Sequence, residues 1–228
     1  MNLLGPEDVR AIALSLKVAA TATLAGLPLA LIVAFALARG RFPGRALLDA
    51  ATHLPLVLPP VATGYALLLL LGTHGPLGRA FAAVGVVFAF RWTGAAVAAG
   101  VMAFPLMVRP IRLAIEVIDR EVDEAARTLG AGPVVRFLRV TVPLAAPGLA
   151  AAAVIGFAKA LGEFGATITF VAAIPGETLT LPTAIYQATQ TPGGEARILV
   201  LCAIAATIAV GAVLVSDAIG RRLRRERR

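Results

Sequence analysis

Long apolar runs are the feature that most constrains how this chain can fold. A helix needs about 20 mostly apolar residues to cross the hydrocarbon core of a bilayer. Five stretches of the 228-residue chain meet this requirement: residues 11–37, 48–71, 94–115, 144–164 and 198–219. Because 59% of all residues are hydrophobic and the mean hydropathy is +0.87, these runs do not belong to an ordinary water-soluble domain. The sequence predicts an all-α integral membrane protein, with one transmembrane domain over residues 1–228 that forms a bundle of about five transmembrane helices.

Two further segments, residues 80–92 and 166–190, are apolar but too short or too interrupted to cross a bilayer simply. They are interpreted as interfacial or re-entrant, and the bundle would have six membrane elements if one of them re-enters. Re-entrant backbone is tolerated only where protein or water satisfies its polar groups, so such a segment is expected near a pathway. Pro55, Pro59 and Pro60 predict kinks in the second run, with a packing role and a gating role both open.

The distribution of arginine predicts the orientation of the bundle, because positively charged short loops stay on the cytoplasmic side. With the N-terminus outside and the C-terminus inside, most arginines fall on the inner side. They are Arg39, Arg41, Arg45, Arg109, Arg112, Arg120, Arg127, Arg136, Arg139 and the six arginines from Arg221 to Arg228. The outer side then keeps only Arg10, Arg79, Arg91 and Arg197.

Residue types that carry enzymatic or metal chemistry are sparse and scattered. Cys202 is the only cysteine, and His53 and His74 belong to no His-Glu-x-x-His pattern, so the sequence predicts no catalytic site and no metal site. The net charge of +8 is divided among apolar runs and does not form one basic face, which argues against nucleic acid as a partner. A Gly-x-x-x-x-Gly-Lys-Ser/Thr phosphate loop is also missing, so an ATP-driven process would need a separate ATPase.

The loop at residues 116–143 carries the clearest local pattern. Four apolar residues recur at the i, i+3, i+4 and i+7 spacing of one helix face: Val122, Ala125, Ala126 and Leu129. Gly130 stands where a left-handed C-terminal cap belongs, and Pro133 suits the first turn of a second helix. This stripe fits the groove of a partner protein, but the lipid interface and the chain's own bundle are equally open interpretations.

The same loop resembles the EAA loop of ABC importer permeases, through Glu124-Ala125-Ala126, Gly130 and Val142-Pro143-Leu144. In that family the loop is the coupling helix that docks on the ATP-hydrolysing subunit. The resemblance therefore implies a set of docking residues: Glu124, Ala125, Ala126, Leu129 and Gly130.

Longer segments resemble molybdate ABC transporter permeases in particular. They are RFPG at residues 41–44, HLPLVLPPVATGY at 53–65, FPLMVR at 104–109, EAARTLGA at 124–131, LGEFGATITF at 161–170 and IPGET at 174–178. The resemblance implies a type I importer fold in the bacterial inner membrane, in which two copies of the chain form the pore. It also implies two partner ATPase subunits that bind ATP and Mg, an extracytoplasmic oxyanion-binding protein, and no cofactor in this chain. The alternative interpretation of the substrate is that the chain is a permease for sulfate or thiosulfate. A stand-alone channel or a secondary carrier is a different class of transporter, and it would need no docking loop.

Lys159 and Glu163 lie four residues apart on one helix face and are expected to pair, since an unpaired charge facing lipid is unfavourable. A doubly charged oxyanion requires positive charge, backbone N–H groups and hydroxyl donors. Candidate pathway or gate residues are Lys159, Gly162, Gly165, Thr167 and Thr169. Glu163 would repel a dianion and is assigned to an ion pair, a latch or an interface. Helix packing through small residues is the alternative interpretation of the same cluster.

Overall fold

The computed structural model describes residues 4–225, and every regular element in that range is helical, which confirms the all-α prediction. The helices are α1 (Pro6–Arg39), α2 (Arg45–Val57), α3 (Pro60–Leu71), α4 (Pro76–Ala83), α5 (Trp92–Glu116), α6 (Arg120–Thr128), α7 (Pro133–Arg136), α8 (Val142–Leu144), α9 (Ala146–Leu161), α10 (Gly165–Val171), α11 (Leu181–Thr189) and α12 (Glu195–Arg225), with a π-helical turn at Phe137–Thr141. Arg227 and Arg228, which enter the orientation argument, lie outside the described residues.

Three helical segments within residues 4–225 are long and apolar enough to cross a bilayer unaided: α1, α5 and Glu195–Ala212 of α12. Two bent pairs raise the number to five if each pair is one span. They are α2 with α3, bent by 116°, and Pro133–Leu144 with α9, bent by 70°. The second apolar run is therefore broken where its prolines predict a disturbance, whereas the fourth run contains the continuous helix α9 and is bent only at its start.

Prolines explain the break between α2 and α3. Pro59 and Pro60 occupy the N-cap and the first position of α3, where a missing N–H removes no helical hydrogen bond. The last hydrogen bond of α2 runs from the Leu58 N–H to the Leu54 carbonyl at 3.1 Å. Pro55 lies inside α2, and the helix continues past it to Val57. The predicted break therefore occurs at Pro59 and Pro60 and not at Pro55.

The core lies where α1, α5 and α9 pack against one another through small side chains. A methyl group added at Gly156 would lie 2.6 Å from Met107 Cγ, and one added at Gly148 would lie 2.4 Å from Ala114 Cβ. Membrane helices associate mainly by such close van der Waals contact, because lipid provides no hydrophobic driving force between them. The glycines of α9 therefore set how closely α9 approaches α5.

The segment at residues 166–190 forms α10 and α11, which pack onto the rest of the bundle. With 7 and 9 residues, these helices are too short to cross a bilayer. The turn between them is held by Thr178, which is fully buried. Its hydroxyl donates to the Val171 carbonyl at 3.2 Å and accepts from the Ile174 N–H at 2.9 Å.

One end of the bundle is joined by polar contacts between distant parts of the chain. Asp8 in the first turn of α1 is 2% exposed and accepts hydrogen bonds from Arg197 Nη2 and from Arg197 Nε, whose single N–H lies between the two carboxylate oxygens at N···O distances of 3.0 and 3.2 Å. Ser15 on α1 accepts a hydrogen bond from the Leu181 N–H at 2.6 Å, which occupies one of the free N–H groups at the start of α11. These contacts connect the first helix to the last two.

Candidate functional site

The predicted docking helix is α6, and its start is encoded locally. Asp119 is its N-cap, with a carboxylate that accepts from the Glu121 N–H at 3.0 Å. Such a cap satisfies one of the backbone donors left free in the first turn. The side chain of Asp123, also in the first turn, pairs with Arg136 Nη1 at 2.9 Å and ties α6 to α7.

The end of α6 has the left-handed cap that the sequence predicts. Gly130 has a φ of +82°, which L side chains rarely adopt. The Ala131 N–H donates to the Ala126 carbonyl at 3.0 Å, and the Gly130 N–H donates to the Arg127 carbonyl at 3.0 Å. This pair of hydrogen bonds is a Schellman motif, which satisfies the last carbonyls of the helix. Pro133 is the first residue of α7, also as predicted.

The apolar stripe of α6 faces away from the chain's own core. Leu129 is 88% exposed and Val122 is 43% exposed, while Ala125 is exposed and Ala126 is half-buried. The interpretation in which the stripe packs on its own bundle was therefore wrong. Glu124 and Gly130 are also exposed, so of the predicted docking residues only Ala126 is half-buried.

Contacts from the membrane helices hold this surface in place. Arg39, the last residue of α1, donates from Nη2 to the carbonyls of Ile118 at 2.6 Å and Ile115 at 3.2 Å. These carbonyls lie at the end of α5, where carbonyl groups have no partner within the helix. Phe35 packs edge-on against Phe137 at 4.9 Å between ring centroids. The chain on both sides of the predicted docking helix, at the end of α5 and at the π-helical turn, is thus attached to α1.

The second candidate site lies where α9 meets α10. Lys159 Nζ pairs with Glu163 Oε2, as the i, i+4 spacing predicts. Glu163 is 3% exposed, and its other oxygen, Oε1, accepts from the Ala166 N–H at 3.0 Å in the first turn of α10. Each carboxylate oxygen thus has a partner within the chain, which fits an ion pair and a helix terminus, and its negative charge does not fit a ligand for an anion.

Two of the sequence segments that carry the resemblance meet at this place, because α10 packs closely against α3. A methyl group added at Gly64 would lie 2.5 Å from the Ala166 carbonyl oxygen, and one added at Gly165 would lie 2.8 Å from Pro60 Cβ. Gly165 therefore has the packing role of the alternative interpretation. Gly162 is exposed, with the nearest atom to an added methyl 3.7 Å away in its own helix.

The threonines at this contact differ in their hydrogen bonding. Thr169 donates to the Gly165 carbonyl at 2.8 Å. Thr167 is 1% exposed and Thr63 is 6% exposed, and neither hydroxyl has a hydrogen-bond partner among residues 4–225. Chemical reasoning from the sequence selected Thr167 but missed Thr63, which stands inside the HLPLVLPPVATGY segment. Only the fold shows that this segment lies against α10, and that contact would have identified Thr63.

The sequence matches the family model for binding-protein-dependent transport system inner membrane components over residues 26–227. It is 51% identical to the molybdenum transport system permease protein ModB of Escherichia coli K12, over 100% of this chain and 99% of that protein. It is 46% identical to the protein of the same name from Haemophilus influenzae, over 96% of each chain.

A solved structure shows the same fold. The chain aligns with a bacterial alginate ABC transporter in complex with an alginate pentasaccharide-bound periplasmic protein, with a TM-score of 0.76. The alignment covers 96% of this chain and 80% of that chain at 20% identity. The chain thus has the overall fold of the aligned chain of that ABC transporter.

Proposed function

Since the chain belongs to the family of binding-protein-dependent transport system inner membrane components, we propose that it is the permease subunit of an ATP-driven molybdate importer. The observation that carries this proposal is the 51% identity, along the whole chain, to a molybdenum transport permease. Tungstate has the same charge and nearly the same shape as molybdate, so it is a second substrate of the same class. The chain acts as a transport subunit, and a separate subunit hydrolyses ATP.

The exposed stripe of α6 supports docking on that ATPase. A short helix with exposed apolar residues and capped ends is suited to a groove on another protein. The arginine distribution supports an N-terminus outside and a C-terminus inside, which places α6 in the cytoplasm. Two copies of the chain then form the pore, and each copy docks one ATPase subunit that binds ATP and Mg.

The junction of α3, α9 and α10 lies beside the proposed pathway, and an extracytoplasmic binding protein delivers the oxyanion to it. Lys159 supplies positive charge there, while Glu163 holds the start of α10. Few strong anion ligands are expected, because a transporter must release its substrate on the far side.

Uptake into lipid vesicles tests this function. The chain is reconstituted with its candidate ATPase subunit, and labelled molybdate is supplied with the binding protein. We expect molybdate uptake that requires ATP hydrolysis and that excess sulfate does not suppress, with a non-hydrolysable ATP analogue as the control. Uptake of sulfate in place of molybdate would change the substrate, and flux without ATP would contradict the importer.

A further inference from the structure

An apolar groove lies open between α1, α2 and α5. Its volume is about 610 Å³, within the range of small-molecule sites, which is roughly 300 to 1,000 Å³. Its walls include Gly100 of α5 and, on an exposed rim, Ala25 of α1. None of the lining side chains, all of which belong to the described part of the chain, carries a charge. A doubly charged oxyanion has no ionic partner in this groove, so the groove suits an apolar ligand.

The groove has about the depth of one leaflet of a bilayer. Along α1 it extends from Thr21 to Val33, a helical rise of about 18 Å, whereas the hydrocarbon core of both leaflets is about 30 Å thick. The helix α2 lies beside the second half of α1, because Arg45 Nη2 donates to the Leu37 carbonyl at 2.7 Å. The groove therefore fits an acyl chain that enters from one membrane surface. A spanning helix of a second copy would need a groove through the whole bilayer.

A cation and an indole ring mark the outer end of the groove. Lys17 lies one helical turn before Thr21 on α1, and its Nζ is 3.5 Å from the centre of the Trp92 ring. Trp92 is the first residue of α5 and precedes Thr93, which lines the groove. Lys17 takes part in none of the ion pairs found among residues 4–225. Tryptophan at the end of a spanning helix is typical of the headgroup level of a bilayer, so the ammonium group is available to a lipid phosphate there.

We propose that the groove binds an acyl chain of an anionic phospholipid, and that Lys17 contacts the phosphate of this lipid. Bulk lipid tails are as apolar as the groove, so the tail alone gains little by leaving the bilayer. Selectivity comes from the headgroup, because an ammonium group and a phosphate oxygen form a charge-assisted hydrogen bond. With the N-terminus outside, the lipid belongs to the outer leaflet. The proposal requires only that the chain spans a membrane, and it does not depend on the substrate that the chain carries.

Trp92 is the only tryptophan of the chain, so its fluorescence tests the proposal without an added label. The full-length chain is reconstituted in phosphatidylcholine vesicles with a small, constant fraction of one lipid that carries bromine on its acyl chains. Bromine quenches the fluorescence of an indole ring that it approaches. We expect brominated phosphatidylglycerol to quench Trp92 with an apparent association constant about fivefold above that of brominated phosphatidylcholine, as for one added lysine–lipid contact.

Substitutions separate the headgroup contact from the groove. K17Q removes the charge and should make the two lipids quench equally, whereas K17R retains a cation and should retain the preference. A25F fills the groove from its exposed rim and should also bring the two lipids towards equality. R79Q is the matched control, since Arg79 is exposed on α4 and does not line the groove. Its preference for phosphatidylglycerol should equal that of the wild type.

The opposite results would overturn the proposal. Equal quenching by the two lipids in the wild type, or a preference that K17Q retains, would show that Lys17 holds no lipid phosphate. A preference that A25F retains would show that the groove does not hold the tail, and a preference lost in R79Q would show general attraction to surface charge. If A25F instead separates two copies of the chain, measured by its size in detergent, the groove is covered by a second copy and not by lipid.

Discussion

Ala172 shows how a single residue can hold strain at the proposed pathway. It ends α10 with a φ of 59° and a ψ of −167°, a conformation that side chains rarely adopt. Such a residue costs about 1 to 3 kcal/mol and persists only where its surroundings impose it. The surroundings here include Thr178, whose buried hydroxyl binds the backbone on both sides of Ala172. Contacts with neighbouring residues therefore keep Ala172 in a backbone conformation that alanine does not favour by itself.

Glycine at this position should relieve the strain. We expect A172G to raise the free energy of unfolding by about 1 kcal/mol, because the relief of strain exceeds the entropy that glycine loses on folding. A173G is the control, since Ala173 has no positive φ and glycine there should lower stability by about 0.5 to 1 kcal/mol. Thermal unfolding of both variants in detergent gives the measurement. A loss of stability in both would contradict the strain argument.

Residue by residue, the sequence predicted contacts that depend on local spacing. The Lys159–Glu163 pair follows from its i, i+4 spacing, and it is present. The unpaired hydroxyl of Thr63 was not predictable, because its lack of a partner depends on the tertiary contact of α3 with α10. The pathway roles of Lys159 and Thr167 remain predictions.

At the scale of elements, α6 was predicted most fully, whereas the break between α2 and α3 was predicted without its angle. The stripe and the Gly130 cap are local patterns, and residues within one or two turns determine both. Prolines in the second run indicated a disturbed helix but not a 116° bend. The angle depends on where α3 packs, and Gly64 permits that packing across about 100 residues of intervening sequence, a separation that no local pattern encodes.

A charge on the exposed stripe of α6 should block docking. In A125E the new carboxylate lies on the apolar surface, and we expect a loss of about 2 kcal/mol, or roughly 30-fold, in affinity for the ATPase subunit. R127E places the same residue on the opposite side of α6 and is the matched control.

Co-purification of the two subunits and ATP-dependent uptake report on both variants. Insertion into the membrane should be normal in each, because Ala125 is exposed and makes no core contact. Full assembly and uptake by A125E would show that the stripe docks on no ATPase.

At the scale of the whole molecule, the contact between Asp8 and Arg197 joins α1 to α12. The two residues are 189 positions apart, so no sequence pattern in a single chain predicts that they meet. Asp8 is almost fully buried, and the Gly5 N–H also donates to it at 2.9 Å. The carboxylate therefore depends on Arg197 for most of its charge compensation.

Removal of Arg197 should be costly because it leaves a buried carboxylate without its partner. We expect R197A to lower the free energy of unfolding by about 2 kcal/mol, less than for a fully buried pair because Arg197 is partly exposed. The double variant D8A/R197A should lose less than the sum of the two single variants, which a double-mutant cycle of thermal unfolding measures. Additive losses would show that the two side chains do not interact.

The same contact has a consequence for biogenesis. Asp8 is synthesised 189 residues before Arg197. During that interval α1 enters the bilayer with a carboxylate that lacks its final partner, so this end of α1 stays near water until α12 arrives. By contrast, Arg39 finds its carbonyl partners after 76 and 79 residues, when α5 is complete. One end of α1 is thus secured once α5 has been made, and the other end only once α12 has been made.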